Sequence, residues 1–232
     1  MKNSKILLSA ILTIFLITFL TAFLTSCVKS TEDKDKYGNG ISISPMDSDV
    51  KIGRNTIVIK PKETDKVYTL SGYFLGQIVV ENKAIIKLDN VFLENQHGKP
   101  AIKCKEKTEI STIEDSVNYV ISTGRSYSSP AAISAKKDLI LGGSGTLLVK
   151  GKVCHAVKGR DVKMKGSGKF FIEGTKNNPA IRCENFMVNE GKTFSCFFVN
   201  SLQGIKAKQI DIASGNFCDS STEDSTQLEK ED

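Results

Sequence analysis

The sequence predicts an all-β protein whose body is a parallel β-helix of about six coils, with about 24 residues in each coil. A small or polar residue followed by Ile or Val, here called the anchor residue, recurs at steps of 24, 31, 24, 24 and 24 residues. Self-similarity at a fixed period of this size is typical of a solenoid. Apolar and polar residues also alternate in short runs between glycine-marked turns, and no long helical period is visible. The recurring dipeptides are Gln77-Ile78, Ala101-Ile102, Ala132-Ile133, Ala156-Val157, Ala180-Ile181 and Gly204-Ile205.

Residues 1–26 are predicted to be a secretory signal that is removed from the mature protein. A basic start is followed by the apolar stretch Ile6–Leu24, which is the order found in signal peptides. Leu24-Thr25-Ser26-Cys27 resembles the bacterial lipobox, so Cys27 is the predicted lipidation site. A permanent transmembrane helix is the alternative, since the apolar run is just long enough to span a bilayer. We favour the lipoprotein because a cysteine ends the run and a charged segment follows.

Beyond the signal, composition divides the chain into a linker, a body and a tail. Residues 27–40 are polar and charged and are predicted to form a flexible linker. Residues 41–218 are the predicted β-helix domain, which starts with an N-terminal β cap at 41–75 that shields the first coil. Residues 219–232 are predicted to be a disordered acidic tail. The body carries a formal charge of +9 and the tail −5, which suggests an acidic partner outside the membrane.

Each coil is predicted to contain three short strands separated by three turns. In residues 155–178, alternating runs surround Val157, Val162 and Phe170, and Gly166–Gly168 turns the chain. Three strands in 24 residues is the stride of a parallel β-helix, in which inward residues of successive coils stack. The predicted ladders are Val162–Phe186–Ile210, Met164–Val188–Ile212 and Phe170–Phe194–Cys218.

Five cysteines remain after Cys27, an odd number that leaves at least one thiol free. Cys104 and Cys183 share one register but lie three coils apart, at about 4.8 Å per coil. That separation is too great for a disulfide, so both are predicted to be buried free thiols. Cys196 and Cys218 are predicted to lie on neighbouring coils, and they are the pair for which a disulfide is worth testing.

Three segments of the body resemble a known family. YTLSGYFLGQIVVENKAIIKLDNV, PAAISAKKDLILGGSGTLLVKG and AVKGRDVKMKGSGKFFIEG look like the bacterial exported carbohydrate-binding domain family, and the similarity covers residues 67–218. The resemblance implies a right-handed parallel β-helix related to polysaccharide lyases. It also implies binding of plant-type polysaccharides, including acidic galacturonans, with bound calcium and no clear catalytic activity. Family repeats commonly carry Asp-Gly before the anchor residue, whereas this chain has His155-Ala156, Pro179-Ala180 and Gln203-Gly204, so calcium at those places does not follow from the resemblance.

Basic residues dominate the positions one and three after each anchor residue, which should point outward if the anchor points inward. From the second coil to the last, eight of these ten residues are Lys or Arg. Like charges repeated at about 4.8 Å are unfavourable unless an anion offsets them. The predicted face therefore suits a polyanion such as a uronate polysaccharide, although a solvated, aggregation-resistant surface is the alternative. The predicted ligand-binding residues are Lys103, Lys105, Lys136, Lys158, Arg160, Arg182, Lys206 and Lys208.

Other candidate sites are weaker. Asp138, Asp161 and Asn185 precede the second strand of their coils and could hold calcium, although such residues more often close turns. Calcium is the one cofactor considered, and none is required. The single aromatic predicted to contact ligand is Tyr127, in the insertion that lengthens one coil. His97 is expected to have no catalytic role, because no Ser or Cys nucleophile is suitably placed beside it.

The sequence thus predicts a lipid-anchored protein of the cell envelope, periplasmic or at the cell surface. We expect it to bind acidic polysaccharide through the basic face as a monomer, without catalysis and without nucleic acid as partner. A calcium-dependent polysaccharide lyase and an adhesin that binds host matrix or another envelope protein are the alternatives.

Overall fold

Parallel strands separated by roughly one predicted coil build most of the protein. The computed structural model describes residues 40–123, 131–153, 155–189, 194–201, 203–219 and 228–230. These residues contain 22 strands and no helix, so none of them forms a helix that could span a membrane. Ile41–Asp232 forms one compact unit. The all-β prediction is confirmed.

The first four strands include the antiparallel part of the fold. They are β1 (Ile41–Ser44), β2 (Val50–Ile52), β3 (Thr56–Ile59) and β4 (Lys66–Leu75). The strands that follow are β5 (Gln77–Val80), β6 (Ala84–Asn95), β7 (Ile102–Cys104), β8 (Thr108–Thr112), β9 (Val117–Ser122), β10 (Ala131–Ala135), β11 (Leu139–Gly143) and β12 (Thr146–Gly151). The remaining strands are β13 (His155–Lys158), β14 (Asp161–Met164), β15 (Lys169–Glu173), β16 (Ile181–Arg182), β17 (Asn185–Val188), β18 (Ser195–Val199), β19 (Ile205–Ala207), β20 (Gln209–Ile212), β21 (Asn216–Asp219) and β22 (Leu228–Lys230).

The anchor residues form one continuous ladder in a nine-stranded sheet. In the order β5-β7-β10-β13-β16-β19, here called stack 1, each strand pairs in parallel with the next. All six anchor residues are fully buried, as the repeat predicts. Branched side chains stiffen each strand and pack against their equivalents above and below. The ladder consists of Ile78, Ile102, Ile133, Val157, Ile181 and Ile205.

The other sheet has 13 strands and two arms. Strands β8-β11-β14-β17-β20 form one arm, stack 2, and β9-β12-β15-β18-β21 form the other, stack 3. The arms meet at the long strand β6, which pairs with β8 through its first half and with β9 through its second. The predicted ladders Val162–Phe186–Ile210 and Met164–Val188–Ile212 are confirmed in stack 2.

The predicted ladder in stack 3 was wrong. Phe170 pairs with Cys196, 26 residues later, and Cys196 pairs with Phe217, 21 residues later. The turns before β18 and β21 differ in length from the common turn, so the 24-residue step does not hold there. Phe194 still contacts Phe170 edge to face at 5.7 Å, but it precedes β18 and is not a rung of the ladder. Cys218 is exposed, on the side of the strand opposite Phe217.

The described cysteines are free thiols. Cys104, Cys183 and Cys196 are buried and Cys218 is exposed. Burial raises the pKa of Cys104 and of Cys183 to about 12, which keeps these thiols protonated and unreactive. Cys196 faces inward beside an outward-facing Cys218, so the two side chains point away from each other.

The stretch predicted to be the N-terminal cap, 41–75, contains the two antiparallel strand pairs. Here β1 pairs with β4 and β2 with β3, whereas β3 and β4 also pair in parallel with β5 and β6, so β1 and β2 are called the antiparallel cap. Ile41 and Ile43 of β1 are buried in the apolar core. At the other end, β22 pairs in parallel with β19 and lies within the stretch predicted to be disordered. An open sheet edge offers unpaired backbone groups to such a strand.

Candidate functional site

The basic residues that follow each anchor lie in one column on the outer surface of stack 1. Lys103 pairs with Ser134, Ser134 with Lys158, Lys158 with Arg182, and Arg182 with Lys206. Lys103, Lys158 and Arg182 are exposed, and the other two are half-buried. The alternation of a strand explains this placement, because the buried anchor directs the next side chain to solvent.

Three of the four cations in this first column form no ion pair among the described residues. They are Lys103, Lys158 and Arg182. Neighbouring strands are about 4.8 Å apart. Two like charges at about 4 Å repel by about 1 kcal/mol in water. The column therefore holds repulsive energy that an anion laid along it would relieve.

A second column of exposed residues runs beside the first, at the turn that leaves stack 1. The Lys208 N–H donates to Glu184 O at 2.9 Å, and the Glu184 N–H donates to Arg160 O at 2.8 Å. Lys136 and Lys105 hold the same place after β10 and β7, the earlier strands of stack 1. This column is partly neutralised, since Lys105 forms a salt bridge with Glu81 and Arg160 with two aspartates.

The structure brings the predicted calcium ligands together, but around an arginine. Arg160 Nη2 lies 2.6 Å from Asp138 Oδ1, and Arg160 Nε lies 3.2 Å from Asp161 Oδ2. Asn185 pairs with Asp161 and donates its side-chain N–H to Asp161 Oδ1 at 2.5 Å. Burial acts to raise the pKa of Asp161, but hydrogen bonds from Asn185 and Arg160 outweigh it, and the pKa lies below its ordinary value. The described residues hold no group of three His, Cys, Asp or Glu placed for a metal ion; calcium binding here stays a prediction.

His155 is buried at the start of β13, beside the first column. Its Nδ1 lies 3.0 Å from Pro179 O, which fixes the ring, and it must be protonated there to donate. Burial lowers the pKa of His155, and the charges of Arg182 and Lys158 lower it further, against the opposing effect of the Pro179 hydrogen bond. The side chain therefore acts as a neutral structural group under the basic face.

Strands β4, β6 and those of stack 3 carry outward aromatic residues that the sequence did not predict as a whole. Tyr73 stacks on Phe92 with ring centroids 5.4 Å apart, and Phe92 contacts Tyr119 at 5.7 Å. Further along, Phe171 and Phe197 stack at 4.9 Å with 13° between the ring planes. Leu148 pairs with both Tyr119 and Phe171 and so divides the rings into two groups. Within each group the rings contact one another and stabilise strand pairing, and Tyr73, at one end, is exposed.

Two predicted site residues lie outside the described residues. These are Cys27, the predicted lipidation site, and Tyr127, the aromatic of the insertion.

Comparisons with known proteins found one similar solved structure and one matching family model. One solved structure, the polysaccharide lyase-like protein from C. thermocellum, is similar with 17% identity and a TM-score of 0.44. The similarity covers 74% of this chain and 90% of that chain. None of the curated proteins matches the chain. The family model described as carbohydrate-binding domain-containing protein matches residues 53–230, and the chain belongs to that family.

Proposed function

We propose that the protein binds acidic polysaccharide along the basic face of stack 1 and does not cleave it. The observation that carries the proposal is the column from Lys103 to Lys206, in which four of five rungs are cationic and in register. A polymer with one carboxylate per sugar could offset several of these charges at once. Arg182 adds a planar guanidinium suited to gripping a carboxylate with two hydrogen bonds.

The aromatic residues support an acidic ligand over a neutral one. Neutral sugars are commonly held by stacking on the open face of an aromatic ring, a contact that depends on exposed rings. In the described part of the chain, Phe171 and Phe197 stack face to face and Phe92 is enclosed between two tyrosines, so that Tyr73 is the one exposed ring among them. Electrostatic contacts with the lysines and arginines of stack 1 are therefore the better-supported mode.

We also propose that the two sheets wrap around one core as a right-handed parallel β-helix of about six coils. The supporting observation is that all three stacks advance in parallel from coil to coil. Connections between parallel strands of one sheet are right-handed in nearly all proteins. In this arrangement the basic face is one flat side of the solenoid, long enough to contact several successive sugars.

The proposed location is the cell envelope, where lipid on Cys27 would tether the mature protein to a membrane. The support is the order of basic start, apolar run and lipobox-like Leu24–Cys27. Residues 27–40 would serve as a linker to the membrane. The monomer could then present its basic face to polysaccharide in the periplasm or at the cell surface.

A glycan array that contains polygalacturonate, other uronates, sulfated glycans and neutral glucans tests the proposal. We expect the acidic polymers to bind and the neutral ones to bind weakly, because the attraction is mainly electrostatic. Unsaturated uronides are the products of a lyase and absorb ultraviolet light. Their absorbance should not rise, either with or without calcium. Binding limited to neutral glycans would contradict the acidic specificity, and a rise in absorbance would show a lyase instead. Binding to an acidic protein but to no glycan would indicate an adhesin.

A further inference from the structure

A pocket of about 400 Å³ opens where the antiparallel cap meets the first coil. It is formed by β2, β3, the turn between β3 and β4, and the end of β5. The described strands of the nine-stranded sheet begin at β2, so the pocket lies at one end of the surface that carries the basic face. No predicted site residue falls in it.

The pocket combines an apolar wall with polar groups of both signs. Val58 and Pro61 supply the apolar wall, and Lys51, Lys60 and Lys62 line it with exposed ammonium groups. Glu81 and Asn82 complete the lining. Asn82 Nδ2 donates to Pro61 O at 2.7 Å, which leaves the side-chain oxygen of Asn82 as an acceptor. A sugar acid presents the complementary set: a carboxylate, several hydroxyl groups and an apolar ring face.

A buried network holds one wall of this pocket in place. The Asp49 carboxylate accepts a hydrogen bond from Lys66 Nζ at 2.8 Å and from the Tyr68 hydroxyl at 3.2 Å. It also accepts the backbone N–H of Lys62 at 3.4 Å, so it fixes the chain that carries this lysine. Lys62 Nζ in turn lies 3.2 Å from Ser48 Oγ. A pocket wall built this way is organised before a ligand arrives, which lowers the entropic cost of binding.

The pocket is continuous with the basic face. Val58 pairs with Val79, and Val79 pairs with Lys103, the first cation of the first column. Glu81 lies 3.7 Å from Lys60 Nζ within the pocket and forms a second salt bridge with Lys105, the first cation of the second column. A ligand could therefore pass from the pocket onto both columns without leaving the surface of one sheet.

We propose that this pocket holds the terminal sugar of an acidic glycan chain whose following sugars lie along the basic face. The inference rests on the proposed function, and it adds a chain-end site to the face. The lysines bind the terminal carboxylate, while Glu81 and the Asn82 oxygen accept sugar hydroxyl groups. The pocket then recognises the end of the glycan chain. The face binds the sugars that follow, so its contribution depends on the length of the chain.

The experiment measures binding of a short and a long probe to the full mature chain and to two double variants. The probes are trigalacturonate and polygalacturonate. Lys51→Ala with Lys60→Ala removes two pocket cations, and Lys158→Glu with Arg182→Glu alters the face. Lys87→Ala with Lys169→Ala, two exposed lysines on β6 and β15, is the matched control. Unfolding temperatures of all variants show whether the fold is retained.

We expect the pocket variant to weaken trigalacturonate binding about tenfold or more, the effect of losing about 1.4 kcal/mol or more, and the control to change nothing. The face variant should lose polygalacturonate but keep most of its affinity for trigalacturonate. Binding of the polymer without binding of the trimer, or equal trimer affinity in pocket variant and control, would overturn the pocket and leave the face standing. If neither trigalacturonate nor polygalacturonate binds the unaltered protein, the proposed function itself is overturned.

A competition assay tests whether an end is recognised. Fluorescent trigalacturonate is bound to the face variant and displaced with polygalacturonate, either intact or partly hydrolysed, at equal uronate concentration. Hydrolysed polymer should displace the probe more strongly, since only chain ends enter the pocket. Equal displacement by both would contradict a chain-end site.

Discussion

The Arg160 side chain determines what its two acidic neighbours, Asp138 and Asp161, can bind. Asp138 and Asp161 are stacked as the sequence predicts, with oxygen atoms close enough to share a cation. That cation is the guanidinium of Arg160, which donates to both carboxylates. An arginine already in place competes with calcium for the same oxygen atoms, and only its removal would free them.

We therefore expect Arg160→Ala to create a calcium response that the unaltered protein lacks at this cluster. Freed carboxylates that bind calcium in the folded state stabilise it by mass action. Millimolar calcium, the range of weak extracellular sites, should raise the unfolding temperature of the variant more than that of the unaltered protein. Arg182→Ala, which leaves both aspartates paired, is the control. An equal response of Arg160→Ala and Arg182→Ala would contradict this account of the cluster.

His155 gives a pH dependence whose sign can be stated. Its pKa is lower in the folded protein than the ordinary value, chiefly because of burial. Below about pH 6.5 the unfolded chain therefore binds more protons, and stability falls as the pH falls towards the folded pKa. His155→Gln should reduce this loss between about pH 7 and 5. A glutamine can replace the hydrogen bond, as the Gln77 side chain does with Pro100 O at 2.8 Å.

Unfolding temperatures measured across this pH range check the prediction. His97→Gln is the control, because His97 is exposed. If His155→Gln keeps the full pH dependence of the unaltered protein, another group is responsible.

At the scale of the strands, the turn between β11 and β12 fixes the path from stack 2 to stack 3. Gly143 has a φ of +104°, and a Cβ atom there would lie 2.2 Å from Thr112 O. Gly166, its equivalent between β14 and β15, has a φ of +97°, and a Cβ atom there would lie 2.3 Å from Gly143 O. These turns stack so closely that only glycine fits.

Gly143→Ala should consequently destabilise the protein by about 1–3 kcal/mol, the usual cost of a forced backbone conformation. Gly142→Ala is the matched control, since its added Cβ would meet the flexible side chain of Lys165 at 3.0 Å and its φ is not positive. Denaturant unfolding of both variants gives the comparison. Equal destabilisation by the two substitutions would show that the positive φ is not the cause.

The sequence predicted stacks 1 and 2 better than stack 3 for a physical reason. Ile78 and its equivalents recur at a fixed step because the loops before them keep their length, apart from one insertion. The step in stack 3 depends on turns of variable length, so Phe170 pairs with Cys196 and not with a residue 24 positions away. The period of the repeat does not predict the length of such turns. The alignment of the outward aromatic residues from Tyr73 to Phe197 was missed for the same reason.

Across the whole molecule, a continuous apolar core supports a surface that is unfavourable by itself. Fully buried side chains such as Phe170, Phe186 and Leu141 contribute about 1.5–3 kcal/mol each. The repulsion between neighbouring cations on stack 1 is of the order of 1 kcal/mol per pair. The core can thus hold the basic columns in register without a ligand, as the proposed binding of a polyanion requires.

The basic columns could be predicted from sequence because they follow the anchor residues at fixed distances. The pocket at the cap could not, because it depends on how β2 turns back against β3 and places Lys51 opposite Val58. The salt bridges of Arg160 and Lys105 were also missed, since the pairing of side chains between neighbouring strands depends on rotamers and not on the period of the repeat. These contacts decide which cations of the face remain open to a ligand.

Reversing charge on the basic face tests most directly whether acidic polysaccharide binds there. The affinity of polygalacturonate is measured against salt concentration for Lys158→Glu with Arg182→Glu, and for the control Lys87→Glu with Lys169→Glu, which changes net charge equally. The face variant should lose about a hundredfold or more in affinity, as expected for two charge-assisted contacts of about 1.5–3 kcal/mol each, and its binding should depend less on salt. The control should stay within about threefold of the unaltered protein, a difference of about 0.7 kcal/mol. Equal losses in both variants, or no loss in either, would contradict binding through this face.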